Sequence, residues 1–142
     1  MGMKHLLCPA CHALNRVDEA RIGQAVCGKC KKPLAGSVLH LDTPLLDALL
    51  AKDGLPLLVD FWAPWCGPCR MMAPAFEEAA RLLGPQVRLG KIDTEAQPQL
   101  GARFQVQSIP TLVLFQNGRE TARLPGARPA REIADWTRAR LG

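Results

Sequence analysis

All six cysteines of this 142-residue chain fall into Cys-x-x-Cys pairs, Cys8/Cys11, Cys27/Cys30 and Cys66/Cys69, and none is left over. In a reducing compartment such pairs point to metal binding or redox chemistry rather than to structural disulfides. The three pairs divide by context. Cys8-Pro9-Ala10-Cys11, fifteen intervening residues and Cys27-Gly28-Lys29-Cys30 match a four-cysteine zinc site, in which two short knuckles present four sulfurs tetrahedrally.

Lys31-Lys32-Pro33-Leu34-Ala35-Gly36 separates these cysteines from the first sustained apolar pattern, so a small metal module over 1–36 and a larger domain over 37–142 are expected. A piece of about 36 residues has too little core to fold unaided, and one structural zinc would supply its folding free energy, on the order of 10 kcal/mol. The lengths alone predict separable parts, with metal loss unfolding the N-terminal piece only. Cys8-Pro9-Ala10-Cys11-His12 also fits covalent haem attachment, but that reading is discounted because there is no export signal and a second pair sits nearby. His5 and His12 are expected in solvent.

The net charge of +5 is a weak indication of polyanion binding. Residues 1–36 hold six Lys/Arg against two Asp/Glu, and residues 37–142 hold twelve against eleven. Four thiolates around one Zn²⁺ would remove two more charges from the N-terminal excess, so no nucleic-acid partner is expected. The N-terminus lacks an apolar h-region, and no stretch approaches the roughly 18 apolar residues of a membrane helix. A cytoplasmic protein without a membrane partner is expected.

Beyond residue 36 the chain alternates. Ser37 to Leu41 reads as a short strand, and Thr43-Pro44 as an N-cap with proline in the first turn of a helix. Leu55 to Trp62 is apolar on both faces, as a covered central strand must be. A long helix to about Leu83 and a strand from Val87 to Ile92 complete a parallel βαβ unit. A helix near Pro98 to Phe104 precedes two strands joined by Asn117-Gly118, a two-residue hairpin signal, and a closing helix spans Pro129 to Leu141. The expected fold is α/β, a mixed sheet with helices on both sides.

Trp65-Cys66-Gly67-Pro68-Cys69 lies where the apolar strand ends and the long helix begins. A helix N-terminus favours a thiolate at Cys66, and Cys69 falls on the same helical face, within disulfide reach. Pro68 in the first turn has no N–H to lose. The pattern points to nucleophilic attack by Cys66 on a disulfide and resolution by Cys69. Asp60, inside an apolar strand, should have a raised pKa and could exchange a proton with Cys69.

The run Phe61-Trp62-Ala63-Pro64-Trp65-Cys66-Gly67-Pro68-Cys69-Arg70, with Pro74, Ile92-Asp93, Ser108-Ile109-Pro110-Thr111, Asn117-Gly118 and Gly126, closely resembles thioredoxin. With the early cysteines, the likeness extends to the zinc-containing thioredoxins of bacteria and covers the whole chain. It implies a thioredoxin fold behind a zinc ribbon and a redox-active Cys66–Cys69 disulfide. It implies a cis Pro110 facing that pair, with Gly67 and Pro68 as active-site support. A docking surface of Trp65, Ile109 and Gly126 and a kink at Pro74 are also implied. Disulfide-containing proteins would be the substrates and a thioredoxin reductase the source of electrons. Many relatives place a lysine where this chain has Leu89, and Lys91 lies two residues on, on the same strand face.

Overall fold

The computed structural model describes residues 2–142. Two antiparallel strands, β1 (Met3–Leu7) and β2 (Leu14–Asp18), open the chain, paired from Met3↔Asp18 to Leu7↔Leu14. This hairpin is absent from the sequence reading. Its strands are five residues long, and only Leu6, Leu7 and Val17 are buried in them, too few for a period to stand out. A 3-10 turn, Glu19–Gln24, is capped by Asp18, whose carboxylate accepts the Ala20 N–H at 2.9 Å.

The remaining strands and α-helices are β3 (Leu39–His40), α1 (Thr43–Lys52), β4 (Leu57–Trp62), α2 (Gly67–Leu83), β5 (Arg88–Asp93), α3 (Pro98–Arg103), β6 (Thr111–Gln116), β7 (Arg119–Pro125) and α4 (Ala130–Arg140). One five-stranded sheet has the order β3-β5-β4-β6-β7. Its first three members run parallel, and β6 and β7 pair antiparallel. This is the expected mixed sheet.

Local chemistry explains most boundaries. The cap of α1 is Asp42 rather than Thr43; its carboxylate accepts the Leu45 N–H at 3.0 Å, and Thr43-Pro44 form the first turn. The stronger acceptor sits one residue earlier in the extended backbone that a cap requires. The expected strand over 37–41 shrinks to two residues, because only Leu39 and His40 lie in the ladder, opposite Gly90 and Lys91, and the Leu41 N–H adds a last bond to the Lys91 carbonyl at 2.9 Å. Asn117 and Gly118 have φ of 54° and 77° and close the β6–β7 hairpin. That is the left-handed pair a two-residue turn demands, and a Cβ at 118 would also strike the Leu50 carbonyl.

β4 is buried along almost its whole length, and its alternation distributes side chains to two cores. Leu57, Val59 and Phe61 meet Leu46 and Leu49 of α1 and Leu100 of α3. Leu58 meets Met72, Phe76 and Ala79 of α2 and Ile133 of α4. Asp60 and Trp62 point to this second side by the same alternation. The helix that carries Cys66 and Cys69 therefore covers the face on which Asp60 lies. Pro74 falls inside α2.

Candidate active site and metal centre

Cys66 is the N-cap of α2. Its backbone is extended, with φ −85° and ψ 113°, and its sulfur accepts the Cys69 N–H at 3.2 Å. An N-cap lies over the unpaired N–H groups of a first turn, which stabilise negative charge there. Gly67 and Pro68 occupy that first turn. Cys69 sits one turn on, its Cα 5.3 Å from that of Cys66, and the two sulfurs form a disulfide. Such a spacing is ordinary for a disulfide.

Both cysteines are shielded. Cys66 is 5% and Cys69 1% exposed, whereas the neighbouring Trp65 is 68% exposed. Ala63, Cys66 and Cys69 share a small apolar cluster with Trp62 and Ile109. The Ile109 carbonyl oxygen lies 3.9 Å from the Cys66 sulfur, and the Ile109–Pro110 bond is cis. The Gly126 N–H donates to the Pro110 carbonyl at 2.9 Å. The structure thus brings Cys66, Cys69, Ile109, Pro110 and Gly126 to one end of the sheet. The exposed Trp65 adjoins Cys66, the less buried of the two cysteines.

Asp60, on the face of β4 that α2 covers, is fully buried, and neither carboxylate oxygen has a hydrogen-bond partner. Burial pushes its pKa from 3.8 up to about 7, against a smaller downward pull from Lys91. Lys91 faces Asp60 across the β4–β5 ladder, and its ammonium rests over the Trp62 ring at 4.5 Å. Leu89 packs instead into the apolar core beside α2. A buried carboxyl that titrates near neutrality can take up and return a proton at the working pH.

The other four cysteines meet at the far end of the chain. Their sulfurs all lie within 4.8 Å of one another, with Cys8 to Cys30 and Cys11 to Cys27 both at 3.6 Å. Sulfurs at the corners of a tetrahedron about 2.3 Å from a zinc ion would stand roughly 3.8 Å apart, so the donor set and its spacing fit that ion.

The two knuckles are built alike. The N–H of His12 donates to the Cys8 carbonyl at 2.8 Å, and the N–H of Lys31 to the Cys27 carbonyl at 2.9 Å. His12 and Lys31 have positive φ, 64° and 69°, which ends each turn before a helix can grow. The two histidines near the cysteines, His5 and His12, are exposed and stand outside the cluster.

Asn15, which no sequence signal singled out, ties the knuckles together. Its side-chain amide donates to the Cys27 sulfur at 3.5 Å, and its carbonyl accepts the Gly28 N–H at 2.9 Å. The Lys29 N–H points at the same sulfur at 3.3 Å. Such donors favour a thiolate, the form that binds metal.

No helix among the described residues is long and apolar enough to cross a membrane.

Comparison with known proteins covers both parts. The family model described as thioredoxin matches residues 37–139, and that described as thioredoxin 2, N-terminal, a zinc ribbon, matches residues 7–32. The chain is 42% identical over 133 residues to thioredoxin C-3 of Corynebacterium nephridii, covering 92% of this chain and 91% of that protein. It is 42% identical over 94 residues to the bifunctional thioredoxin reductase/thioredoxin of Mycobacterium leprae, covering 66% of this chain and 20% of the relative. The crystal structure of the Malassezia sympodialis thioredoxin superposes with a TM-score of 0.66 at 30% identity, covering 75% of this chain and 93% of the other.

Proposed function

We propose, from the premise that this chain belongs to the thioredoxin family, that Cys66 is the attacking thiol and Cys69 the resolving one. The protein is a thiol–disulfide oxidoreductase that reduces protein disulfides, with Cys66 and Cys69 as its redox pair. In the reduced form, the Cys66 thiolate attacks one sulfur of a substrate disulfide, forms a mixed disulfide and expels the other sulfur as a thiolate. Cys69 then attacks Cys66, which releases the second substrate sulfur. The substrate gains two electrons, and the protein is left with the Cys66–Cys69 disulfide. Asp60 takes the Cys69 proton as that sulfur attacks.

Trp65, Ile109 and Gly126 form the docking surface, and the free backbone edge at Ile109 pairs with an extended substrate segment. Gly67, Pro68 and Pro110 support the geometry around the two sulfurs. A thioredoxin reductase returns the two electrons; the Mycobacterium leprae relative, named as a fusion of the two, supports that partnership. The partners are disulfide-bearing proteins, with no nucleic acid or membrane among them.

Residues 1–36 form a zinc ribbon holding one structural ion on Cys8, Cys11, Cys27 and Cys30, and residues 37–142 form the thioredoxin domain. The matched segments 7–32 and 37–139 support that division. A closed set of four sulfurs leaves no position open for substrate, so the ion would serve folding rather than chemistry. Cysteines that act as thiols and metal ligands suit a reducing compartment, which supports the cytoplasm.

The observation that carries this reading is the cap of α2: a cysteine sulfur on a helix N-terminus, bonded to a second cysteine one turn on, over a strand that holds an unpartnered buried carboxyl. The test is reduction of a protein disulfide in the presence of NADPH and a thioredoxin reductase, alongside trapping with Cys69→Ser. That variant should accumulate mixed disulfides through Cys66, and Cys66→Ser should trap nothing. Equal trapping by both variants would reverse or remove the assignment.

A further inference from the structure

Arg88 and Asp53 belong to the thioredoxin domain, yet three of their side-chain hydrogen bonds reach into the first 36 residues. Both side chains are nearly sealed from solvent, 3% and 2% exposed, and they pair through two contacts, Nε to Oδ2 at 2.7 Å and Nη2 to Oδ1 at 3.1 Å. The guanidinium also donates to the Leu7 carbonyl at 2.9 Å and to the Leu34 carbonyl at 2.6 Å. Asp53 accepts the Leu7 N–H at 2.8 Å and the Leu55 N–H at 3.3 Å.

The held groups are the two ends of the cysteine cluster. The Leu7 carbonyl belongs to the peptide bond that begins Cys8. Leu34 lies just past the second knuckle, where its N–H donates to the Ala25 carbonyl at 3.1 Å. Leu6, Cys8, Cys27 and Leu34 share one buried cluster with Leu55 of the domain. Beside the pair, the Gly54 N–H donates to the His5 carbonyl at 2.8 Å, and a Cβ at 54 would stand 2.9 Å from that same oxygen.

We infer that Arg88 and Asp53 are positioning residues for the four-cysteine site, locking both ends of the cluster to the sheet so that metal retention and the stability of the thioredoxin domain are linked. The inference rests on the reading of those cysteines as a zinc site. A buried arginine cannot shed its charge, and each N–H it loses inside the protein goes unpaired. When the knuckles loosen, Leu7 and Leu34 withdraw three hydrogen bonds from the pair and open a charged contact that their segments keep sealed from solvent. The cost falls on the Asp53–Leu55 loop and on β5. By reciprocity, whatever weakens the pair weakens the metal site by the same free energy. The two parts are therefore coupled, unlike the independence that their lengths suggest.

The test uses the full chain reconstituted with zinc. Metal content is measured first: a wild-type protein that holds no zinc refutes the zinc reading and this inference with it. Zinc transfer to a chromogenic chelator is then timed for Arg88→Lys, Arg88→Met and the double variant Asp53→Asn with Arg88→Met. The double variant leaves no lone buried carboxylate and guards against a fold lost to one. Transfer should be at least about 10-fold faster in each variant that folds, the lower end of what outer-shell partners of metal ligands contribute. Rates within twofold of wild type would overturn the inference.

Hydrogen exchange on the wild-type chain, with and without zinc, needs no variant. Removing the metal should lower protection at Leu55 and Arg88 while leaving Val113 unchanged. Loss confined to residues 2–36 would equally overturn the coupling.

Discussion

The same four-residue motif is used here in two opposite ways. In both kinds of site, the residue after the second cysteine donates its N–H to the carbonyl of the first: His12 to Cys8, Lys31 to Cys27 and Arg70 to Cys66. The turns diverge at that donor. His12 and Lys31 adopt positive φ, which stops the chain and lets two knuckles face each other. Arg70 continues α2, which leaves Cys66 as the cap of a 17-residue helix. A stopped turn offers both sulfurs outward to an ion. A turn that grows into a helix aligns its peptide dipoles behind one sulfur and favours its thiolate.

The sharpest way to break this comparison is to remove one sulfur from each kind of site. Cys66→Ser should lower disulfide reduction by at least about a thousand-fold, because the nucleophile itself is gone. Bound zinc, measured by atomic absorption, should remain at wild-type level. Zinc loss in this variant would mean the two kinds of pair are not chemically separate.

Cys27→Ser should do the reverse. It should lose the ion and melt lower by on the order of 10 °C, as the metal's folding free energy disappears. Below its melting temperature it should still reduce a small-molecule disulfide within a few-fold of wild type. Abolished reduction by a protein that is still folded would place the metal site in the chemistry.

Asp60→Asn tests the carboxyl that only the redox site possesses. Its pKa is raised from 3.8 to about 7 in the fold, so the folded state binds this proton more tightly than the unfolded chain. The stability of the native protein is accordingly greatest below the unfolded value and falls as pH rises toward and through 7. The asparagine variant should lose that dependence and gain roughly 2–4 kcal/mol at alkaline pH, read from urea unfolding at several pH values. Turnover should fall about 10- to 100-fold near neutrality, and the acid limb near pH 7 should flatten. An unchanged pH–rate profile would remove Asp60 from proton transfer.

The smallest expected effect is at Asn15, which has no counterpart near Cys66. Asn15→Ala removes a donor to the Cys27 sulfur and the acceptor of the Gly28 N–H. It should speed zinc loss to a chelator by about 10-fold with disulfide reduction unchanged. A change in reduction would show that the knuckles reach the dithiol.

Much of this was legible in the sequence because it depends on near neighbours. Cysteine spacing separates the two sites, Asn117-Gly118 sets a hairpin, and the apolar run of β4 marks the centre of the sheet. Errors arose where local signals were short or competing. The β1–β2 hairpin has too few buried residues to show a period, and Asp42 displaced Thr43 as a cap because it is the better acceptor one position earlier.

By itself, then, the sequence determined which cysteines act together, which strand is central and which helix begins at the dithiol. Each of these follows from residues within a few positions of one another. Only the tertiary structure decided what faces what across long separations. It left both oxygens of Asp60 without partners, laid Lys91 over Trp62, and joined Arg88 to Asp53, Leu7 and Leu34. Such groups are 29 to 81 positions apart along the chain or have no partner at all. Their placement is set by sheet register and by the exclusion of water, which no local pattern of residue types encodes.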